Sequence, residues 1–251
     1  MNEISEAQIV RYARTAGAIY LLYFLAAFGA LFLTRGLVVS GDVAATAQNI
    51  IDHEERYRAG FAVGLLANVL YIVITGLFYR LFERVSRTLS LLAAFVSLVG
   101  CTVQIGAGAY QLAPLLVLHD ATLLAGAGLH TLQTVAMLSL KLYSQTFYIS
   151  LVLFAVYDLF LGYLIVKSGF LPKAIGLFLM IAGVGWLAFV WPPAALPAAG
   201  IILPLGALAE IVFMLWLLVK AVDASAWYRC PTIVAADKGA IDGARSAHSL
   251  T

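Results

Sequence analysis

FYISLVLFAVYDLFLGYLIVKSG, residues 147–169, is an apolar run of bilayer length with one carboxylate, Asp158, near its middle. Spanning the hydrocarbon core takes about 20 apolar residues in a helix. A second run, AGIILPLGALAEIVFMLWLLVK (199–220), has the same form around Glu210. These two stretches decide the class of the fold and also pose its main question, what an acid does in the middle of a membrane.

Composition points the same way. Of the 251 residues, 63% are hydrophobic and 11% charged, whereas a soluble domain carries about 25% charged residues. Six windows of spanning length lack Lys and Arg, covering residues 16–33, 60–79, 89–118, 147–166, 174–191 and 198–219. Barrel strands would alternate apolar and polar residues and no window does, so the spans are helices. The first follows Arg11 and Arg14 as a secretory signal would, but its apolar run is too long and five more follow. The expected fold is all-α: a polytopic six-helix membrane bundle (residues 1–222) with two short extracytoplasmic amphipathic helices and a disordered cytoplasmic tail (223–251).

The cations orient the chain. With the N-terminus inside, Arg11, Arg14, Arg80, Arg84, Arg87, Lys167, Lys173, Lys220, Arg229, Lys238 and Arg245 lie inside, against Arg35, Arg56, Arg58 and Lys141 outside. This bias predicts cytoplasmic termini. A seventh span over residues 121–140 would put the termini on opposite sides and spoil the bias. The net charge of +2 gives no reason to expect nucleic acid, and Cys101 and Cys230, kept apart by topology, predict neither a disulfide nor a metal cluster.

Between the first two spans, SGDVAATAQNIIDHEERYR (40–58) reads as a surface helix begun by Asp42, with Val43, Ala47, Ile50 and Ile51 on its apolar side. LHTLQTVAMLSLKLYSQ (129–145) reads as a second amphipathic helix, and ATLLAGAG (121–128) is apolar enough to dip into the interface. In KSGFLPKAIG (167–176), Gly169 suits the end of one helix and Pro172 the start of the next.

Depth makes the acids candidates. Asp158 lies nine residues from Lys167 and Glu210 ten from Lys220, roughly 14 and 15 Å along a helix rising about 1.5 Å per residue. Such short side chains cannot reach water from there, so each must face protein or a hydrated cavity. Helical spacing puts Asp158 on a face with Ala155 and Gly162, and Glu210 with Gly206 and Ala207, small residues that allow close helix approach. The second span aligns Gly64, Asn68, Tyr71 and Thr75, the third Ser97, Cys101, Gln104, Gly108 and Gln111, and the first adds Tyr20 and Tyr23. The candidate ligand-binding residues are therefore Glu210, Asp158, Asn68, Tyr71, Gln104, Tyr20 and Gln111. No Lys or Arg lies at that depth, so burial favours the uncharged acid, and at least one of the two is expected to be protonated at neutral pH.

Several chemistries drop out. No mid-membrane lysine is present for retinal, the histidines have no haem-ligand spacing, HEERYR (53–58) lacks the second histidine of a zinc helix, and there is no nucleophile elbow or phosphate loop. No cofactor or metal is expected, and the partners expected are membrane lipid and a small apolar or amphipathic molecule. The oligomeric state is left open by the residues.

Several segments together resemble the bacterial polytopic membrane proteins grouped as domain of unknown function 4386: AGAIYLLYFL (16–25), SGDVAATAQNII (40–51), LFYRLFERVSRTLSLLAA (77–94), LGYLIVKSGFLPKAIG (161–176) and LAEIVFMLWLLVKAV (208–222). The resemblance implies a bacterial inner-membrane protein without an assigned activity. By it Glu210, Gly162, Gly169 and Pro172 fall on recurrent positions, Asp158 falls where no fixed acid is known, and Ala221 stands where glycine is usual. Three readings follow: binding, with or without transport, of a small apolar or amphipathic molecule with Glu210 carrying the proton; catalysis on a lipid or isoprenoid by Asp158 and Glu210 as acid and base; or an interaction or sensory subunit with no internal site.

Overall fold

The computed structural model describes residues 5–120, 124–126 and 128–230. Helices α1 (Glu6–Thr34), α2 (Val43–Asp52), α3 (Glu54–Phe82), α4 (Arg87–His119), α5 (Leu129–Ser168) and α6 (Lys173–Leu187) are followed by two single 3-10 turns flanking a short α7 (Pro192–Ala195). α8 (Ala199–Val219) and α9 (Ala224–Arg229) complete the order, and there is no strand among the described residues. Six helical stretches are long and apolar enough to cross a membrane: α1, α3, α4, α5, α6 with its following 3-10 turn, and α7 running on into α8. These are the six expected from the sequence.

The spans form a closed ring in chain order. α1 packs on α3, α3 on α4, α4 on α5, α5 on α6, α6 on α8, and α8 returns to α1. The surface turned away from the ring carries large apolar side chains, among them Leu22, Leu25, Phe28, Leu66, Val73, Phe95, Val99, Ile181 and Val184. A soluble monomer does not sustain such a belt, and lipid accepts it without cost.

Glycines set the closest crossing. A Cβ on Gly162 of α5 would lie 2.5 Å from the Gly176 carbonyl oxygen of α6, and one on Gly176 would lie 2.5 Å from the Gly162 carbonyl oxygen. Further along the same seam, a Cβ on Gly183 would meet the Ala155 carbonyl oxygen at 2.8 Å and the Asp158 Cβ at 3.2 Å. The helices therefore touch backbone to backbone, the contact that small residues permit where hydrophobic driving force is absent. Gly169, at φ 72, ends α5 in the left-handed region as expected, and Pro172 caps α6.

Two expectations change. The 129–145 segment is helical, but it is not a separate amphipathic helix; it forms the first part of the 40-residue α5. Nothing in it breaks a helix, and its inner face is held by α2 and α4: Leu132 and Ala136 pack with Ala47 and Leu118, and Leu140 with Leu37, Ile50, Tyr57 and Leu115. Among the described residues there is no seventh span, and of the preceding apolar stretch only residues 124–126 and 128 lie among those described. α2 itself starts where expected, with Asp42 Oδ1 accepting from the Ala45 N–H at 2.9 Å, but Thr46 rather than Ile51 completes its buried side.

The second change is at the tail. Ordered structure continues past the boundary expected at Val222, as the Asp223 side chain accepts from the Ala226 N–H at 3.0 Å and starts α9. Trp227 then reaches back into the bundle, its Nε1 donating to the Leu81 carbonyl at 3.1 Å beneath an Arg84 guanidinium 3.8 Å from the ring centre. Cation–π contact of this kind contributes about 0.5–2 kcal/mol. The Asp223 N–H also donates to the Phe170 carbonyl at 3.1 Å. Residues 231–251 lie outside the described residues.

Ala221, where the resemblance leads one to expect glycine, is among the described residues the one non-glycine residue with positive φ, at 60°. Its N–H and that of Lys220 both return to the Trp216 carbonyl, closing α8 in a left-handed cap. Ala221→Gly should therefore raise the thermal midpoint in detergent, by a gain of about 1 kcal/mol. Gly162→Ala should lower it, by a loss of about 1–3 kcal/mol of stability, whereas Gly106→Ala, whose Cβ would meet nothing within 4 Å, should leave it level or slightly raised; a tolerant Gly162 would refute the tight seam.

Candidate functional site

The ring closes around a polar group at its centre. Asp158 projects from α5 and Glu210 from α8, with relative exposures of 1% and 4%. α1 supplies Tyr20, α3 supplies Tyr71 and α5 adds Tyr157, all buried. Burial on several sides explains why α5 can hold Tyr157 and Asp158 at consecutive positions: α4 and α6 flank it, and the middle of the helix is enclosed.

Glu210 is held by phenols. The Tyr71 hydroxyl donates to Glu210 Oε1 at 3.5 Å, and the Tyr20 phenol is a neighbour of the same carboxyl. Asp158 interacts electrostatically with Glu210, yet neither of its buried oxygens has a hydrogen-bond partner among the described residues, and neither has the Tyr157 hydroxyl. An unmatched buried polar group costs about 1–3 kcal/mol. No lysine or arginine is among the groups acting on either acid. The two carboxyls thus form a pair with opposite situations, one tied to phenols and one without a bond.

Aromatic faces enclose them. Tyr71 is edge-on to Tyr20 at 6.1 Å, to Tyr23 at 4.8 Å, to Phe154 at 5.1 Å and to Tyr157 at 6.2 Å between ring centres. Phe213, one helical turn from Glu210, is edge-on to Tyr20 at 6.5 Å. Beside this group Trp186 of α6 lies flat against Gly206, where a Cβ would come within 2.3 Å of the indole. Its Nε1 is also buried without a partner.

Of the seven candidates, the structure brings Glu210, Asp158, Tyr71 and Tyr20 together. Asn68 is only half-buried and donates to the Gly64 carbonyl of its own helix at 3.0 Å. Gln104 and Gln111 are half-buried on α4, and the Gln111 backbone carbonyl accepts from the Tyr57 hydroxyl. The polar stripes of α3 and α4 serve mainly to join those helices, through Thr75 and Ser97, whose hydroxyls lie 2.7 Å apart. Tyr157, Phe154 and Phe213 were not singled out from the sequence. The signal for them was adjacency: Tyr157 precedes Asp158, Phe154 stands four residues before it and Phe213 three after Glu210, so each shares the acid's stretch of helix.

A separate shallow depression of about 440 Å³ opens at the α9 end, lined by Phe170, Pro172, Trp216 and Lys220 among others. It is far along the helices from both acids and shares no lining residue with the central group.

The Tyr71 bond can be tested directly. Tyr71→Phe leaves the ring contacts and removes one donor from Glu210, which should cost about 1–2 kcal/mol in a reversible unfolding assay in detergent or bicelles. Tyr79→Phe on the same helix should cost less than half as much; equal losses would show that Tyr71 acts through its ring alone.

Comparison with curated proteins finds no match, and comparison with solved structures finds none. The model of the family described as Domain of unknown function (DUF4386) matches residues 15–221, which takes in all six spans and the central acids. The chain belongs to the DUF4386 family.

Proposed function

We propose that the central group binds a small apolar or amphipathic molecule within the membrane, and moves it with proton coupling, Glu210 being the acid that carries the proton. The observation that carries this reading is the carboxyl pair itself, two buried acids from different helices facing one set of phenols without a cation. A group meant only to join helices would be satisfied by neighbours, and Asp158 is not. Intramembrane acids of this kind mark ligand or proton pathways.

The division of labour follows from the bonds. Glu210 accepts from the Tyr71 phenol of α3 and has the Tyr20 phenol of α1 beside it, so its charged form is matched when the proton leaves and its neutral form needs only to shift one bond. Asp158 sits at the α5–α6 seam beside Gly183, where movement of either helix alters its surroundings. A ligand that displaces one helix pair therefore changes the relation between the acids, which is the coupling a transporter requires.

The electrostatic interaction between the two carboxyls also favours a second reading, an acid and base pair acting on a lipid or isoprenoid, since proton transfer needs both groups near one substrate atom. In either case the site works from within a bacterial cytoplasmic membrane, with both termini in the cytoplasm. Support comes from the placement of Arg80, Arg84, Arg87 and Arg229 at the same end of the bundle as Lys167, Lys173 and Lys220.

Mass spectrometry of lipids and metabolites retained on gently purified protein, followed by binding and proteoliposome flux of the retained molecule, separates the readings. Glu210→Gln keeps the shape and removes the titration, so pH-dependent binding and flux should fall by tenfold or more. Chemical conversion of the retained molecule by wild type would favour the enzyme. Unchanged retention and flux in Glu210→Gln would overturn the reading.

A further inference from the structure

We propose that the central site takes a hydrophobic organic cation, a quaternary ammonium or phosphonium-like molecule with apolar substituents, in exchange for a proton. This names the ligand class for the binding reading above and rests on it.

Charge is the first ground. One carboxyl from α5 and one from α8 are buried inside the ring, 1% and 4% exposed, with no cationic side chain acting on either, so the complementary ligand is positive. An anion would add repulsion to burial, and a neutral ligand would leave the acids as they are. The second ground is the unused bonding capacity on one side of the group, where both Asp158 oxygens and the Tyr157 hydroxyl are buried without partners.

The third ground is what surrounds the acids. Tyr20, Tyr23 and Phe154 pack edge-on with Tyr71, whose hydroxyl donates to Glu210, at 4.8–6.1 Å between ring centres. Aromatic enclosure with a nearby carboxylate is how proteins recognise ammonium groups that cannot be bonded by many oxygens, and a desolvated cation–π contact contributes about 2 kcal/mol or more. A small hydrated metal ion fits less well, because it demands several oxygen ligands in place of its water. A cation with apolar substituents also partitions into the bilayer, from which the belt of the ring is reached.

The exchange balances. One carboxyl O–H gives its proton to water, the resulting carboxylate pairs with the incoming monovalent cation, and the net charge of the group is unchanged. The titratable groups facing the pair are Tyr20 and Tyr23 from α1, Tyr71 from α3, Cys101 from α4 and Tyr157 from α5. α6 contributes Trp186 and Gly183, which do not titrate. Phenols and thiols ordinarily lose protons well above carboxyls, so the exchanged proton comes from Asp158 or Glu210.

Titration of the full-length protein in detergent with tetraphenylphosphonium, by calorimetry and in weakly buffered solution with a pH indicator, tests this. Binding should release up to one proton per cation and weaken as pH falls, approaching tenfold per pH unit where the pair is protonated. Asp158→Asn and Glu210→Gln, each checked for an unchanged helical spectrum and thermal midpoint, should each weaken binding tenfold or more, and the double variant should abolish proton release. Triphenylphosphine oxide, of similar shape but neutral, should bind at least tenfold more weakly to wild type, a comparison that needs no variant. Equal binding of the two probes, cation binding indifferent to pH and to both substitutions, or no cation binding at all would overturn the proposal. If the neutral probe binds in a Glu210-dependent way and the cation does not, the cation class falls while the binding reading stands.

Discussion

A carboxyl group inside hydrocarbon has no water to bond, and the architecture of this chain is a response to having two of them. Neither acid can reach the headgroups from its depth, so both must be enclosed by protein, and enclosure on every side requires a ring rather than a sheet of helices. The return of α8 to α1 provides it. Gly17 makes that closure close: a Cβ there would lie 2.7 Å from the Leu218 backbone nitrogen. The polar centre and the glycine contacts are two sides of one constraint.

The energetics of the ring are divided by depth. Toward the middle, where lipid and protein interior are equally apolar, fit decides, through the Gly162–Gly176 crossing and the Trp186–Gly206 contact. At the ends, ordinary water-facing interactions return. At one end the Arg56 guanidinium bonds the Phe32 and Arg35 carbonyls that finish α1, and Glu54 pairs with Arg58 at 2.6 Å and His119 at 3.3 Å. Exposed pairs of this sort contribute less than about 1 kcal/mol each. At the other end Trp227 and Arg84 tie α9 to the α3–α4 turn.

Much of this was legible in the sequence because the membrane simplifies the code. Run length alone located the spans, and the 3.6-residue repeat placed Ala155, Asp158 and Gly162 on one buried face. The same logic failed where its premises failed. It treated residues 129–145 as amphipathic and separate, since partial polarity looks alike in a surface helix and in a spanning helix that continues into water. It placed Asn68 with the acids because a stripe fixes the face of a helix, not the partner of a side chain, and an amide can satisfy itself on its own backbone. It passed over Tyr157 because a residue next to Asp158 lies about 100° away on the helix, and only neighbours on both sides can bury both. Loss of apolar density predicts an unstructured tail, yet the Asp223 cap, its N–H bond to the Phe170 carbonyl and the Trp227 anchor hold α9.

The length of α5 has a mechanical meaning. Its 40 residues extend about 60 Å, twice the hydrocarbon thickness of about 30 Å. Unlike α4 and α8, which contain Pro114 and Pro204, it has no proline along that length. One end is clasped by α2, Asp158 is the thirtieth of its 40 residues, and the far end meets α6 through Gly169. Such a helix behaves as a rod rather than a chain of hinges. A tilt imposed on the end clasped by α2 is delivered to Asp158 as a sideways displacement, so the α2 contact and the driest residues of this protein share one rigid lever.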